Sequence, residues 1–420
     1  MGIPPPTISI LGQDPKRRHR INANSFQQNA ITTVNGWQYA AFYTDHPASA
    51  KPNTCVINLG RRKVQSTHLK WEMLTFSDYE QVVDDGHNTI SIGVCRGDGS
   101  IHLAFDHHCD KLRYRTLRYL GPEKFLEDSN TWDETLFSKT QDYLPGIAHN
   151  KLMDEVTYPR FVNMNDDLLL TYRIGQAGLG SDILFRYYAE SSKYTYIGQQ
   201  LTGSDAHKQQ AGPNGPENNY DLNYAYSDDV GKTWKSSNGN TIAVLDGNEG
   251  NTILSGYEAR VFGIPMGSGI LNQEAQAVDW DGGFWVLNRE NMSRGQQWIL
   301  YHRESTGNWE KSVVPAECIN RPTLTGSRGS ISVDSKNKLY LALPGNTDSS
   351  LSIIRVQKKG EQTVFEVIWR GHGFDGEPSI EIQNLDGGNE NLSLFTRTDK
   401  NKDGHRSIVV LDFDICFSPL

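Results

Sequence analysis

The stretch HNTISIGVCRGDGSIHLAFDHHCDKLRYRTL, residues 87–117, decides the fold class of this chain. It contains three short apolar runs, each bounded by Gly, Asn or Asp residues that favour turns. No apolar period of 3.6 residues runs through it, so the pattern indicates strands rather than a helix. Similar triplets recur at 27–59, 157–188, 272–303, 328–356 and 378–413. We therefore predict an all-β protein.

The triplets recur in units of about 60 residues, and one interval is twice as long as the others. That interval contains a single strand-like run, DLNYAYS at 221–227. Repeats of this length with three or four strands are typical of β-propeller blades. We predict one seven-bladed β-propeller domain over residues 1–420, with residues 1–20 as a short N-terminal extension. Six blades is the alternative, because the fourth unit lacks a clear second strand.

The segment SDDVGKTW, residues 227–234, has the form of an Asp-box. In such a hairpin the aspartate and glycine shape the turn, and the tryptophan packs between sheets. We therefore interpret it as structural and assign it no catalytic role.

Composition excludes several classes of protein. The 420 residues include 41 Lys and Arg against 50 Asp and Glu, a formal charge of −9 without a basic run, so nucleic acid is not an expected partner. No apolar stretch approaches the roughly 18 residues of a membrane span. Five cysteines lack a CxxC pair, which leaves one or two disulfides open without choosing their partners. We expect a secreted monomer: sequons at Asn291 and Asn391 fit secretion, although no signal peptide follows Met1.

Polar residues at the strand ends are expected to converge on one face of the predicted propeller. Loops that enter first strands and loops that leave second strands open on the same face of such a fold. These positions are rich in histidine, arginine and tyrosine, which would form a cationic funnel suited to an anionic substrate. The candidates are His87, Asn88, His107, Tyr158, Arg173, Asn272, Gln273, Arg289 and Arg328.

Residues of these types could cleave a uronate-containing polysaccharide by β-elimination. The carboxylate must be neutralised so that the C5 proton can leave, and the C4–O bond then breaks. A base at C5 and an acid at the leaving oxygen each contribute about 10²–10⁴-fold. Arginine with a His/Tyr pair supplies these functions without a nucleophile or a cofactor.

The segments HNTISIGV, DGSIHLAFDHH, EVTYPRFV and LLLTYRIGQAGLGSDILFRYY resemble the BNR-repeat propeller lyases, which include ulvan lyases and fungal L-rhamnose-α-1,4-D-glucuronate lyases. The resemblance implies a seven-bladed propeller in which His87, His107, Tyr158 and Arg173 are catalytic. A tyrosine and a histidine would transfer protons while Arg173 holds the carboxylate, and His87 and His107 could exchange roles. Asn88, Asn272, Gln273, Arg289 and Arg328 would bind substrate.

The short loops are closer to the fungal enzymes than to the ulvan lyases. The resemblance therefore implies exo-acting release of L-rhamnose from rhamnosyl-α-1,4-glucuronate caps of gum arabic-type arabinogalactan. An ulvan lyase-like endo-lyase, a sialidase-like glycoside hydrolase and a non-catalytic carbohydrate-binding propeller are the alternatives. Arg17, Arg18 and Arg20 could serve a sialidase-like site, but no general-acid aspartate follows in the expected blade.

Metal content is left open by the sequence. A structural calcium is suggested by resemblance, although no loop has the spacing of an EF-hand. Zinc at the run His107-His108-Cys109-Asp110 is disfavoured, because adjacent residues on a strand point to opposite faces. We interpret His102 and His108 as structural or solvent-facing.

Overall fold

The protein is described by a computed structural model covering residues 2–49, 51, 53–64, 70–117, 132–176, 180–202, 215–245, 252–253, 258–316, 321–323, 326–345, 347–360, 362–384 and 390–416. In these ranges the ordered elements are strands and three one-turn 3₁₀ helices, Glu134–Leu136, Lys151–Met153 and Gly215–Asn218. The all-β prediction is confirmed.

The strands are numbered in chain order. The first fourteen are β1 Thr7–Asp14, β2 Ile31–Val34, β3 Trp37–Asp45, β4 Cys55–Lys63, β5 Glu72–Gln81, β6 Ile90–Val94, β7 Ile101–Phe105, β8 His108–Asp110, β9 Tyr114–Thr116, β10 Val156–Met164, β11 Asp167–Ile174, β12 Ser181–Tyr188, β13 Lys193–Leu201 and β14 Leu222–Asn223. The others are β15 Thr233–Lys235, β16 Thr241–Val244, β17 Arg260–Phe262, β18 Ala275–Val278, β19 Phe284–Met292, β20 Gly295–Arg303, β21 Trp309–Val313, β22 Ser330–Val333, β23 Leu339–Pro344, β24 Ser350–Lys359, β25 Gln362–His372, β26 Ser379–Asn384, β27 Glu390–Arg397 and β28 Arg406–Asp414.

The strands form successive antiparallel sheets along the chain. Three of the sheets have four strands each, in the orders β2-β3-β4-β5, β18-β19-β20-β21 and β22-β23-β24-β25. Between the first and the second of these, the chain forms the sheets β6-β7-β9 and β13-β12-β11-β10-β8. The six predicted triplets each correspond to consecutive strands of one sheet. The first strands of neighbouring sheets contact one another in the sequence β18, β22, β26, β2, β6 and β10. Their starting residues are thereby brought close together.

The last sheet joins the two ends of the chain. Its order is β1-β28-β27-β26, and β1 pairs antiparallel with β28 from Thr7 opposite Asp412 to Asp14 opposite Arg406. Residues 7–14 are therefore the outer strand of a sheet. The predicted N-terminal extension over residues 1–20 is corrected for these residues, which belong to the fold itself.

Short turns set the strand register. Asn35 and Gly36 connect β2 to β3 with φ values of 52° and 78°, and Val34 pairs directly with Trp37. Two consecutive positive φ values are the requirement of a type I′ hairpin, which Asn-Gly meets with little strain. The pairing fixes which side chains of β3 face each neighbouring sheet.

The core lies in layers between neighbouring sheets. One cluster joins β2–β5 to β6 and β7 around residues such as Ile57, Phe76 and Leu103. Further clusters join the sheets of β7 and β10–β13, of β19 and β23, and of β24 and β27. Because both faces of most central strands are covered, these strands read as continuous apolar runs.

The fourth region holds two small sheets, β14-β17 and β15-β16. The Asp-box shapes a turn here, as predicted. The Asp229 carboxylate accepts a hydrogen bond from the Thr233 N–H at 2.7 Å, and the Trp234 indole N–H donates to the Gly231 carbonyl at 3.0 Å.

Cys55, Cys95, Cys109 and Cys416 are free thiols, and Cys318 lies outside the described residues. Among the described residues, no helix is long and apolar enough to cross a membrane.

Candidate active site

Three aromatic rings are stacked where β6 begins. The ring centroids of Phe26 and His87 are 4.8 Å apart, and those of His87 and His108 are 3.8 Å apart, with interplanar angles of 16° and 17°. The Tyr158 ring packs against this stack at a tilt, with centroid distances of 5.2 Å to Phe26 and 5.7 Å to His87. We call Phe26, His87, His108 and Tyr158 the aromatic cluster.

One carboxylate connects the two histidines of the cluster. Asp85 Oδ1 lies 2.6 Å from His87 Nδ1, and Asp85 Oδ2 lies 2.7 Å from His108 Nδ1. The His87 backbone N–H also donates to Asp85 Oδ1 at 2.9 Å, which fixes the carboxylate to the start of the strand. Each oxygen of Asp85 therefore serves one imidazole ring.

These contacts determine the protonation of both rings. Burial alone would raise the pKa of Asp85, but the hydrogen bonds from His87 and His108 outweigh it and hold the pKa well below the ordinary value. Burial lowers the pKa of His87, despite the opposing effect of Asp85. An ionised carboxylate can only accept hydrogen bonds, so both Nδ1 atoms carry protons. In neutral rings both Nε2 atoms then present lone pairs, as a general base requires.

Tyr158 is placed by an irregularity of β10. Its φ is +58°, and the register of β10 against β11 shifts between Thr157 and Arg160. A bulky residue rarely adopts this conformation, and such bulges redirect side chains near functional sites. The Tyr158 hydroxyl receives a hydrogen bond from Asn272 Nδ2 at 3.3 Å.

The Tyr158 hydroxyl is a protonated donor at neutral pH. Burial raises its pKa above the ordinary value of 10.0, although the charges of Arg173 and Arg328 act in the opposite direction. A neutral phenol can give a proton to a developing oxyanion.

Arg173 is an available cation beside the cluster. Its guanidinium carbon lies 5.2 Å from the centre of the Tyr158 ring, and its Nη2 donates to Cys109 Sγ at 3.7 Å. Among the described residues it forms no ion pair, and its buried Nε has no hydrogen-bond partner. A planar guanidinium of this kind suits bidentate binding of a carboxylate.

Arg328 and Asn272 border the cluster on another side. The Arg328 guanidinium lies 5.1 Å from the Phe26 ring centre and donates to Asn272 Oδ1 at 2.9 Å. Its Nη1 also pairs with Glu377 at 3.3 Å. Asn272 is exposed, and its contact with substrate stays a prediction.

His107 lies outside the aromatic cluster. It is 1% exposed, its Nε2 accepts the Arg113 backbone N–H at 2.8 Å, and its buried Nδ1 has no partner in the described part of the chain. Burial, reinforced by the charge of Arg113, lowers the pKa of His107 well below the ordinary value. The structure thus brings His108, and not His107, to His87, because His108 begins a new short strand beside β10.

Three other predicted substrate-binding residues have different surroundings. Arg289 is fully buried, pairs with Glu274 at 2.6 Å and donates to the carbonyls of residues 323, 326 and 327. Its predicted contact with substrate is therefore corrected to a structural role. Asn88 is also buried, at 1% exposure. Gln273, with φ of +61°, lines a cavity of about 640 Å³ that also borders Tyr158.

Sequence reasoning missed Asp85 and Phe26 and gave His108 no role. The run Asp85-Gly86-His87 offered one signal, because an aspartate two residues before a histidine can accept its backbone N–H in a tight turn. Phe26 offered none, since its ring reaches His87 from a segment far away in the chain.

Asp85, His87 and His108 are residue types that also bind metal ions. One ligand atom each from Asp85, His87 and His108 lies within 4.8 Å of the others. Two ligands of a tetrahedral zinc ion would be about 3.3 Å apart, whereas the O–N distances of 2.6 and 2.7 Å are those of hydrogen bonds. Calcium prefers six to eight oxygen ligands, which this set does not supply. The arrangement therefore fits proton transfer better than metal binding.

The fold and the cluster define an all-β protein of successive sheets with a basic and aromatic site at converging strand ends. Residues 37–316, two thirds of the chain, match the family described as BNR repeat-containing. The chain belongs to this family.

Two solved structures share the fold. The polysaccharide lyase Uly1 superposes with a TM-score of 0.66 at 15% identity, over 99% of this chain and 100% of that one. An ulvan lyase of polysaccharide lyase family PL25 superposes with a TM-score of 0.60 at 13% identity, over 96% and 95% of the two chains. No curated protein sequence matches the chain.

Proposed function

We propose that the protein is a polysaccharide lyase that cleaves beside a glucuronate residue by β-elimination. The observation that carries the proposal is the combination of an unpaired Arg173 with a neutral Tyr158 and imidazoles oriented by Asp85. These groups supply a carboxylate binder, an acid and a base, which is the set that β-elimination requires. The similarity of fold to Uly1 agrees with this class.

The chemical roles follow from the protonation states. His87 Nε2 takes the C5 proton, and the electron pair of the C5–H bond forms the C4–C5 double bond. The C4–O bond breaks, and its electron pair goes to the leaving oxygen, which receives the proton of the Tyr158 hydroxyl. Arg173 binds the carboxylate and stabilises the charge that develops on it. His108 takes the place that the sequence gave to His107 as the second histidine.

The substrate is proposed from the charge of the site and from the resemblance. An anionic glycan suits Arg173, which has no carboxylate partner in the described part of the chain. The resemblance to the fungal enzymes adds exo-acting release of L-rhamnose from rhamnosyl-α-1,4-glucuronate caps of gum arabic-type arabinogalactan. An endo-acting, ulvan lyase-like reaction is the alternative that product analysis separates.

The finer features of the fold belong to the same proposal. The ordered contacts of six first strands and the pairing of β1 with β28 agree with a ring of blades. We propose that seven blades close this ring and form one domain. We also propose a secreted monomer, and we assign the chemistry to protein groups alone. A structural calcium is proposed only from the resemblance.

A sialidase-like hydrolase is less well supported by the geometry. Arg17 donates to Gln81, and Arg20 is paired with Glu377 at 3.8 Å and with Asp375 at 3.7 Å, so both guanidinium groups are engaged within the protein. A carbohydrate-binding propeller without catalysis would need no proton donor beside an oriented base.

The test is to incubate the protein with gum arabic and, separately, with ulvan, and to follow ultraviolet absorbance. A lyase raises the absorbance because it forms a conjugated unsaturated uronate, and analysis of the products then identifies the released sugar. Release of sugar without absorbance would indicate a hydrolase, and binding without release would indicate a lectin. Either result would overturn the proposal.

A further inference from the structure

The cavity of about 640 Å³ beside the aromatic cluster differs from it in chemistry. We call it the inner cavity. Tyr158 borders both, whereas Arg173 and Arg328 do not line the inner cavity. Its wall is rich in neutral side chains with amide or hydroxyl groups, which include Gln28, Gln200, Asn223, Gln276, Ser330 and Ser379.

The charges on its wall disfavour an anion. Two carboxylates, Asp182 and Glu274, line the inner cavity with one cation, Arg160. Glu274 is further paired with Arg289 at 2.6 Å, outside the lining. Because each carboxylate has a cation beside it, the wall has no net positive charge that would attract an anionic sugar.

Two buried acceptors on this wall lack donors. Glu274 is 7% exposed, its Oε1 accepts from Arg289, and its Oε2 has no partner among the described residues. The buried Oε1 of the neighbouring Gln273 also lacks one. Leaving a buried acceptor unpaired costs about 1–3 kcal/mol, so a ligand hydroxyl that reaches either oxygen through a small shift of the wall would be stabilised.

We infer that the inner cavity binds the uncharged sugar on the leaving side of the uronate. This inference rests on the proposed function, in which Tyr158 protonates the leaving oxygen. Because Tyr158 also borders the inner cavity, the sugar attached to that oxygen extends into it. The volume is within the range of about 300–1,000 Å³ that is typical of small-ligand pockets. The charged unit stays at Arg173, and the neutral unit occupies a wall of amides and hydroxyls.

The test fills the inner cavity with an apolar ring. In Ser379→Phe the new side chain occupies space on the cavity wall, whereas Ser305→Phe places the same ring on an exposed turn between β20 and β21 as a matched control. L-Rhamnose and D-glucuronate are titrated separately into each protein by calorimetry, and turnover of gum arabic is measured in parallel. We expect Ser379→Phe to lose L-rhamnose binding, to retain D-glucuronate binding and to lower kcat/KM about tenfold or more, since about two hydrogen bonds are lost.

A second variant guards against misfolding of the first. Gln273→Gly removes one orphan acceptor at a position where φ of +61° favours glycine, and it should weaken L-rhamnose binding about fivefold. Failure of the unmodified protein to bind L-rhamnose, or equal binding by Ser379→Phe, would show a water-filled cavity only and overturn the inference. Absence of the unsaturated uronate with the unmodified protein would instead count against the proposed function, so the two failures are distinguishable.

Discussion

Substitution of Asp85 by asparagine tests the central contact of the proposed site. The carboxylate uses Oδ1 for the His87 ring and the His87 backbone N–H, and Oδ2 for the His108 ring. The backbone N–H is a fixed donor, so the single amide oxygen of asparagine must take the Oδ1 position. His87 therefore keeps its Nδ1 proton, while His108 faces an NH₂ group and must move its proton to Nε2.

The expected loss comes from the missing negative charge. When His87 takes the substrate proton it becomes an imidazolium, which an ionised carboxylate stabilises by a charge-assisted hydrogen bond. Such bonds contribute about 1.5–3 kcal/mol, so kcat should fall roughly 10- to 100-fold. KM should change little, because asparagine has the shape of aspartate and Arg173 is untouched.

The pH profile provides a second readout with a definite sign. Catalysis needs neutral His87, so the rate rises as pH increases through the pKa of His87, which burial places below 6.5. Asp85 raises this pKa by its charge. Asp85→Asn should therefore move the acid limb of kcat/KM to lower pH, an effect that a merely structural role would not produce.

The assay is ultraviolet absorbance of the unsaturated uronate between pH 4 and 9, together with thermal unfolding. Asp84→Asn is the control, since in the described part of the chain Asp84 accepts from the Arg18 and His19 backbone N–H groups and contacts the His19 side chain, all outside the cluster. If Asp85→Asn kept its rate within about twofold and its acid limb unmoved, the orientation argument would be refuted. Equal loss in Asp84→Asn would refute it as well.

Four further substitutions follow from the same geometry. Tyr158→Phe should abolish turnover with a melting temperature near that of the unmodified protein, because among the described residues the lost hydroxyl has one weak partner, Asn272. A full rate in the absorbance assay would disprove the role of Tyr158 as the acid. Arg173→Lys should lower kcat/KM about 10-fold or more, since an ammonium cannot bind a carboxylate bidentately, whereas Arg186→Lys in the neighbouring strand should leave it unchanged. His108→Ala should lower kcat while changing the free energy of unfolding little. His107→Ala should lower the free energy of unfolding by about 1–3 kcal/mol, since it leaves a buried N–H without its acceptor. Chemical denaturation with parallel kinetics tests both variants, and the reverse pattern would restore His107 to the site.

The class of fold could be predicted from the sequence because strands and turns are determined largely by residues close together in the chain. Apolar runs such as the one in 98–107 and turns such as Asn35-Gly36 depend on neighbours in the chain, and β7 and the β2–β3 hairpin appear where they predict. The place of residues 7–14 was not predictable in this way. Their partner β28 lies at the other end of the chain, and no local pattern specifies that pairing.

The site shows the same division. His87, Tyr158 and Arg173 were found from strand ends and family resemblance, and the tertiary structure brings them together. Between the adjacent residues His107 and His108, only the tertiary structure decides which joins His87. His108 begins a strand beside β10 while His107 turns into the core, and burial is a property of the whole fold rather than of a residue and its neighbours. Asp85 gains its importance in the same way, because its two oxygens meet rings from two separate segments, the turn before β6 and strand β8.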